Sequence, residues 1–289
     1  MRVSIHRDCM GWREKIAAAA NRRGHEVTDN NPDVAFARLV TFEPWRERGL
    51  EFMRGAAVRG VATLPEPANL HWYDDKLAQV ALLSKWMPET VVVREGEPMP
   101  APPGGYPFVS KASTGAASRN VRLIQTEAEA RAEYDAAILG GGIPLKPSGV
   151  QKGYLYWQRF IPENDGDVRV IVIGDESFGI RRGNRDDAPF ASGSGRIEII
   201  RELSDERTAK AFRMADEISE HLGTRWQAYD FVFEGDRCYC LEAACSWTDS
   251  GYVGCPTFDR HTLKPTGKTQ DRWPDMAVTE MEWLWTSRS

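Results

Sequence analysis

The stretch YDFVFEGDRCYCLEAACSW, residues 229–247, predicts two short antiparallel strands joined by a polar turn. Apolar side chains alternate with others along both halves, the period of a half-buried strand. One acid lies near each outer end, Asp230 and Glu242. For Asp230 to pair opposite Glu242, the loop must have an odd number of residues, such as the three residues Gly235, Asp236 and Arg237.

This register has a consequence for each face of the hairpin. Aromatic residues of the first strand, such as Phe231, are expected to share the core face with Tyr239 and Leu241. The two acids then lie about 5 Å apart on the other face, where they repel unless a cation or a proton lies between them. An ordinary solvent-screened pair and a magnesium site both fit this pattern. Magnesium binds one or two carboxylates together with substrate phosphates and water, so the second interpretation requires a phosphate site.

Composition limits the class of protein. The chain has 289 residues, 42% of them hydrophobic, which is enough for one large domain or two to three small ones. A net charge of −5 argues against nucleic-acid binding through bulk electrostatics. No apolar run approaches the roughly 18 residues of a membrane span, and the N-terminus lacks a signal-peptide pattern. A cytoplasmic protein without a membrane partner is therefore expected.

Cysteine spacing gives little support for a metal or disulfide framework. The five cysteines form no CxxC pair, and four of them lie between residues 238 and 255. They are Cys9, Cys238, Cys240, Cys245 and Cys255. Reduced thiols are the main expectation, and a zinc site is the lesser alternative.

The order of predicted elements suggests three parts. Residues 1–68 alternate strand and helix, as in a small parallel α/β domain. Residues 69–154 contain a helix stopped by Pro88, several strands and a small-residue loop, and residues 155–289 are rich in strands. After residue 250 the pattern is aperiodic and predicts mostly loop with a short final element.

Two lysines provide a candidate phosphate site. Lys111 ends the apolar strand FVSK directly before a loop that contains Ser113 and Gly115, and Lys76 begins an apolar helix. A lysine at the end of a buried strand is costly unless its charge is used, and the loop offers backbone N–H groups. The spacing matches neither the GxxxxGK[ST] loop nor GxGxxG. Taken singly, either lysine could be an ordinary surface residue.

Five motifs in order resemble the ATP-grasp superfamily, and within it the carboxylate–amine ligases that include ribosomal-protein glutamate ligase, glutathione synthetase and D-alanyl-D-alanine ligase. The motifs are DDKLAQVALLSKWMPETVVV, YPFVSKASTGAASRNVRLI, LYWQRFIP, DGDVRVIVIGDESFGIRR and LGTRWQAYDFVFEGDRCYCLEAACSW. The resemblance covers roughly residues 60–255. It implies an ATP-grasp fold of class α/β (α+β), with a small parallel N-terminal α/β domain, a central lid subdomain and a C-terminal antiparallel-sheet subdomain.

The resemblance also implies roles for individual residues. The residues expected to contact ATP are Lys76, Lys111, Ser113, Gly115, Gln158, Arg159, Phe160, Ile161, and Asp165 or Asp167. The residues expected near the transferred phosphoryl group or the substrate carboxylate are Arg169 and Arg182, and those expected to hold magnesium are Asp230 and Glu242. Ion-pair roles for the arginines and a plain turn role for the two aspartates remain open. The loop at 113–120 is the candidate lid.

One position departs from the family pattern. The resembled ligases commonly end this hairpin with Glu, any residue and Asn, and here the last of these is Ala244. Alanine cannot bind a metal, so the cofactors expected are ATP with one or two magnesium ions, the second in doubt. Ser246 or Asp249 would have to replace the missing ligand.

The resulting hypothesis is an ATP-dependent ligase that joins a small-molecule or peptide carboxylate to an amine through an acyl phosphate. Dimers or tetramers are usual among the resembled ligases, so a homo-oligomer is compatible with it. Two alternatives stay open: a nucleotide-binding protein that lacks ligase chemistry, and an ATP-dependent phosphotransferase on the same scaffold.

Overall fold

A computed structural model describes residues 1–7, 11–39, 44–73, 75–115, 118–146 and 148–287, and of Ala68 only the backbone. Cys9, and part of the loop expected to act as a lid, lie outside the described residues. None of the described helices is both long enough and apolar enough to cross a membrane.

The N-terminal sheet is parallel throughout, in the order β2-β1-β3-β4. Its strands are β1 (Arg2–Ile5), β2 (Glu26–Val27), β3 (Val34–Phe36) and β4 (Ala62–Leu64). The connecting helices are α1 (Trp12–Arg22) and α2 (Trp45–Val58). This is the alternation expected from the sequence, and it leaves the carboxyl ends of the strands at one edge, where open α/β sheets bind ligands.

The central sheet is antiparallel, in the order β5-β10-β6-β7. Its strands are β5 (Thr90–Arg94), β6 (Phe108–Lys111), β7 (Val121–Ile124) and β10 (Tyr154–Arg159), and a separate short pair is β8 (Ile143–Pro144) and β9 (Val150–Gln151). The helices here are α3 (Lys76–Leu83) and α4 (Glu127–Tyr134), the latter continued by one π-helical turn, Asp135–Leu139. Thr126 caps α4 through the backbone N–H of Glu129, as its sequence predicts.

The C-terminal sheet is also antiparallel, in the order β15-β14-β11-β12-β16-β17, with β13 paired to β12. Its strands are β11 (Gly166–Ile173), β12 (Glu176–Gly183), β13 (Ile197–Ile199), β14 (Trp226–Glu234), β15 (Arg237–Ala244), β16 (Pro256–Asp259) and β17 (Pro265–Thr269). The helices are α5 (Glu206–Leu222) and α6 (Trp273–Thr286). Three sheets of the expected kinds confirm the predicted α/β (α+β) class.

The C-terminal segment is more regular than its sequence suggested. The prediction of mostly loop after residue 250 is wrong, since two strands and the 14-residue helix α6 lie there. α6 buries Met276, Ala277 and Met281, spaced at helical intervals, and a proline at Pro274 is tolerated in its first turn. Three tryptophans and two methionines in this short segment concealed the period.

One hydrophobic core joins the beginning and the end of the chain. Phe36 of the first sheet, Trp226 of the last sheet and Met281 of α6 belong to the same buried cluster. The Trp12 ring lies 4.5 Å from that of Trp273 and 6.1 Å from that of Trp226, measured between centroids. The division of the chain at residues 68 and 154 therefore stays a prediction about its domains, and β10, which begins at Tyr154, pairs within the central sheet.

Candidate functional site

The hairpin β14–β15 places Asp230 opposite Glu242, but not by the predicted turn. Glu234 pairs with Arg237, so the loop has only two residues and the expectation of an odd loop is wrong. The register shifts between Asp230 and Phe231, a β-bulge that adds one residue on β15. The bulge supplies the odd residue that opposes the two acids.

The same bulge changes which side chains share a face. Phe231 pairs with Cys240, and both belong to the core beneath α5, so the predicted grouping of the aromatic residues with Tyr239 and Leu241 is wrong. Tyr239 instead pairs with Val232 and packs with it against Ile161, with Leu241 beside them. A small apolar surface thus lies next to the two acids.

Asp230 is enclosed by two arginines. Its carboxylate accepts hydrogen bonds from Arg169 Nε at 2.5 Å and Arg169 Nη2 at 2.6 Å, and Arg182 Nη2 lies 2.8 Å from its Oδ2. Arg182 also binds Asp167 through Nε at 2.7 Å and Nη2 at 2.5 Å. The antiparallel pairing of β11 with its two neighbours explains these contacts. Arg169 lies directly opposite Asp230 of β14, and Asp167 lies directly opposite Arg182 of β12.

Burial and charge act in opposite directions on the two aspartates. Burial alone would raise the pKa of Asp230, but Arg169 and Arg182 hold the pKa of that carboxyl well below its usual range. Burial raises the pKa of Asp167, and the charge of Arg182 offsets only part of that effect. We assign the ionised form to Asp230 because it accepts bonds from both guanidinium groups.

Glu242 is paired with a lysine instead. Lys76 Nζ lies 3.5 Å from Glu242 Oε2, and the side chain of Glu242 remains 30% exposed. Lys76 begins α3, whose N-terminus is capped by Asp75. Ser113 fixes this helix end to the loop after β6, because its hydroxyl donates to Asp75 at 2.7 Å and its carbonyl accepts from the N–H of Lys76 at 3.0 Å.

Gln79 was not identified from the sequence, although it joins the two sides of the site. Its Nε2 donates to the carbonyl of Ala243 at 2.9 Å, and its Oε1 accepts from the N–H of the same residue at 3.2 Å. Gln79 is 1% exposed and lies one turn after Lys76, while Ala243 follows Glu242. The sequence signal for this role is that Gln79 is an uncharged polar residue on the buried face of an apolar helix.

Lys111 lies at the inner end of β6 and is almost fully buried. Its Nζ donates to Gln158 Oε1 at 2.7 Å, and the ring of Tyr156 lies 5.7 Å away. Burial lowers the pKa of Lys111 to about 8, even though the charge of Glu242 acts in the other direction. Its direct partner is a neutral amide, so its charge is not cancelled by a bonded acid.

The segment expected to meet adenine follows β10. Arg159 turns its side chain to Glu234, with bonds of 3.0 and 2.6 Å, while Ile161 contributes to the apolar surface. Asn164, another residue that the sequence analysis missed, exchanges two hydrogen bonds of 2.9 Å with the backbone of Phe233. Asx residues in turns commonly bind nearby backbone, but the long-range partner was not readable from the sequence.

Two adjoining cavities collect most of the predicted residues. A cleft of about 110 Å³ is lined by Lys111, Gln158, Arg159, Phe160, Ile161, Asp167, Asp230 and Glu242, among others. A cavity of about 50 Å³ is lined by Lys76, Gly115, Asp230 and Glu242, among others. Ser113 and Arg169 line neither. Arg182 and Asp165 line a larger surface cavity of about 590 Å³, which contains neither lysine, so we place the site at the smaller pair.

The donor set fits one divalent cation better than two. Three of the acceptor positions of Asp230 are used by guanidinium N–H groups, which leaves Glu242 as the accessible carboxylate of the pair. Ala244 pairs with Ala228 and offers no ligand. Ser246 accepts from Arg38 at 3.4 Å, and Asp249 is bound to Lys15, so neither replaces the missing side chain.

A separate cluster with ligand geometry lies between α5 and the segment after β16. Among the described residues, Asp216, Glu220 and His261 are the only group of three that could hold a metal. Arg260 binds both acids, and His261 Nδ1 lies 3.0 Å from Asp216. A buried guanidinium already occupies the centre of this group, so it is a salt-bridge network.

Comparison with solved structures identifies the fold. A RimK domain protein ATP-grasp from Sphaerobacter thermophilus is 20% identical, with a TM-score of 0.58 over 98% of this chain and 99% of that chain. The D-alanine–D-alanine ligase from Bacillus anthracis in complex with ATP is 12% identical, with a TM-score of 0.65 over the full length of both chains. D-cycloserine synthetase DcsG is 17% identical, with a TM-score of 0.62 over 98% of this chain and 100% of that chain.

These likenesses concern the backbone. No protein-family model and no curated protein sequence matches the chain. At identities of 20% or below, the structural matches show the fold, and the chain has the ATP-grasp fold. What the residues at the cleft do is a separate question, which depends on their chemistry.

Proposed function

We propose that the chain is an ATP-dependent ligase that joins a carboxylate to an amine through an acyl phosphate. The observation that carries this proposal is the convergence of two buried lysines and one accessible carboxylate beside a small apolar surface. Lys76 and Lys111 are 5% and 7% exposed, and both face the cavities that Glu242 lines. The ATP-grasp fold of the chain, and a solved relative of that fold in complex with ATP, support the assignment.

Nucleotide binding follows from the positions of these groups. The adenine ring packs on the surface formed by Ile161, Val232 and Leu241, and the phosphates extend towards the lysines. Lys111 contributes a charge that its neutral partner Gln158 leaves uncancelled. Gly115, at a φ of +125°, allows the loop backbone to approach the phosphates closely. Asp165 and Asp167 are the candidates for the ribose, with Asp167 oriented by Arg182.

The proposed reaction has two steps. A carboxylate oxygen of the substrate attacks the γ-phosphorus, the bond to the β-phosphate oxygen breaks, and ADP leaves. The amine then attacks the acyl carbon, phosphate leaves with the bonding electron pair, and the nitrogen loses a proton. Magnesium, which Glu242 would hold, supplies charge compensation for the phosphates. Arg169 and Arg182 stabilise the transferred group electrostatically and position Asp230.

A nucleotide-binding protein without ligase chemistry is the second candidate. Two observations favour it: Ala244 provides no ligand at the end of the hairpin, and the Asp230 carboxylate is taken up by arginines. Such a protein would bind ATP and keep it intact.

A hydroxylamine trap with a panel of carboxylic acids and peptides separates the candidates. An acyl phosphate reacts with hydroxylamine to give a hydroxamate, so a ligase forms hydroxamate and ADP in equal amounts when the acid is its substrate. Glu242→Gln should abolish both products, whereas Glu51→Gln, at an exposed position on α2, should not change them. ATP binding without ADP formation across the panel would favour the binding protein. A stable phosphorylated product would contradict the ligase assignment.

A further inference from the structure

We propose that this site binds a single divalent cation, at Glu242, because Arg169 and Arg182 occupy the carboxylate of Asp230 that would hold a second one. The inference rests on the proposed function, because it concerns the phosphate-binding part of the same cleft. It assigns Asp230, which the hairpin presents beside Glu242, to the arginines instead of to metal.

The carboxylate of Asp230 is already surrounded by arginine donors. A carboxylate has about four acceptor positions, and three here receive guanidinium N–H groups at 2.5, 2.6 and 2.8 Å. Asp230 is 6% exposed and Arg182 is 8% exposed, so the arrangement is enclosed by protein. Arginine does not lose its proton, so a metal ion bound to Asp230 would lie beside two permanent positive charges. Displacing the arginines would leave buried charges unpaired.

The number of available oxygen ligands also favours a single ion. Magnesium prefers six oxygen ligands in octahedral geometry, and two ions near a triphosphate need several protein oxygens between them. Of the two opposed acids, Glu242 is the one left accessible, and its nearest cation is Lys76 at 3.5 Å. Ala244 has no donor atom, while Ser246 and Asp249 are held by Arg38 and Lys15. One protein carboxylate with phosphate oxygens and water satisfies a single ion.

The charges around Asp230 are balanced without a second metal ion. Asp167 and Asp230 together cancel the charges of Arg169 and Arg182, so this network is neutral. A metal ion bound to Asp230 would add positive charge that no further acid of this network balances.

Counting bound Mn²⁺ tests this inference directly. The chain is saturated with a non-hydrolysable ATP analogue and titrated with Mn²⁺, and free Mn²⁺ is followed by electron paramagnetic resonance. We expect about one Mn²⁺ for each bound nucleotide, and a loss of at least about tenfold in its affinity in Glu242→Gln. Two Mn²⁺ ions of comparable affinity would overturn the inference and leave the proposed function in place. A chain that does not bind the analogue would overturn both.

Two further variants test the role of the arginines. Ala244→Asn adds an amide oxygen but leaves the arginines in place, so about one Mn²⁺ is still expected. Ala244→Asn combined with Arg182→Met removes one competing cation, and the count should rise to about two. A count of two in the single variant, or of one in a double variant whose circular dichroism shows a folded chain, would contradict the inference. If the double variant does not fold, the counts in the unmodified chain and in Ala244→Asn decide.

Discussion

Burial gives single residues of this cleft properties that their type alone does not provide. Lys111 is the clearest case, because an apolar strand places its ammonium group against a neutral amide and an aromatic ring. Desolvation then brings its pKa to about 8, within reach of ordinary buffers. Asp230 is the opposite case, since two bonded arginines keep it ionised although it is buried. The charge that a nucleotide meets therefore depends on pH mainly through the lysine.

Lys111 should make nucleotide binding proton-linked. Its pKa is lowered to about 8, so the lysine is charged below that pH and becomes neutral above it. Phosphates favour the charged form, so binding at about pH 9 should take up a proton and the affinity should fall by up to about tenfold for each pH unit above 8. Isothermal titration calorimetry in two buffers of different ionisation enthalpy measures the uptake.

Lys111→Arg provides the matched control for that experiment. Arginine keeps its charge throughout this pH range, so the proton uptake should disappear although nucleotide still binds. A binding enthalpy that is independent of the buffer at about pH 9 in the unmodified chain would show that Lys111 does not contact the phosphates.

At the scale of elements, the site depends on how α3 and the hairpin are held together. The sequence predicted both elements and the opposed acids, because alternation and capping are local signals. The sequence could not show how the two acids come to lie opposite each other. A two-residue turn with a bulge and a loop with an odd number of residues produce the same pairing of Asp230 with Glu242. The arginine partners of Asp230 were hidden for a related reason. Each pairing across β11, β12 and β14 depends on a register that no single strand encodes.

Gln79 should position the metal-binding carboxylate. Gln79→Met keeps the volume but removes both bonds to the backbone of Ala243, which is 2% exposed and would have no replacement partner. We expect a loss of about 1–3 kcal/mol in the free energy of unfolding and about tenfold in Mn²⁺ affinity in the presence of the ATP analogue. Urea unfolding and Mn²⁺ titration measure the two effects.

The exposed Gln125→Met makes the same chemical change away from the hairpin and should alter neither quantity. Gln79→Glu keeps the acceptor for the N–H of Ala243 and should recover part of the metal affinity. If Gln79→Met lowers stability but leaves Mn²⁺ affinity unchanged, its role is structural only.

At the scale of the whole molecule, the first and last parts of the chain stabilise each other. Glu66 follows β4 and accepts bonds from the N–H of Arg225 at 2.6 Å and the hydroxyl of Thr224 at 3.2 Å, at the beginning of β14. Trp12, from α1, packs among tryptophans of the C-terminal part. Sequence periodicity predicted the parallel sheet and many of the later strands, but a core shared between residues 3 and 284 is a long-range property that periodicity does not report.

Glu66 should make stability depend on pH. Burial raises its pKa to about 7, so its contribution to stability is fully present below about pH 4.5 and is lost as the pH rises through 7. The loss amounts to at most about 3 kcal/mol. Glu66→Gln should remove this component, since the amide stays neutral and Asn69, whose Oδ1 has no partner among the described side chains, can turn to accept its N–H. Urea unfolding at several pH values measures the free energy of unfolding of the unmodified chain and of Glu66→Gln. If this free energy changes with pH in the same way in both, Glu66 is not responsible.

The shared core also predicts how the molecule unfolds. Trp273 begins α6, is 3% exposed and packs against Trp12, so Trp273→Ala leaves a large cavity between the two ends of the chain. We expect a loss of about 3–5 kcal/mol in the free energy of unfolding. Trp45→Ala, at a position that is 47% exposed, should change it by less than about 0.5 kcal/mol. If the N-terminal sheet is stabilised by α6, far-UV circular dichroism and tryptophan fluorescence should shift together in Trp273→Ala. A separate early transition confined to the C-terminal part would show that the first sheet folds without that helix.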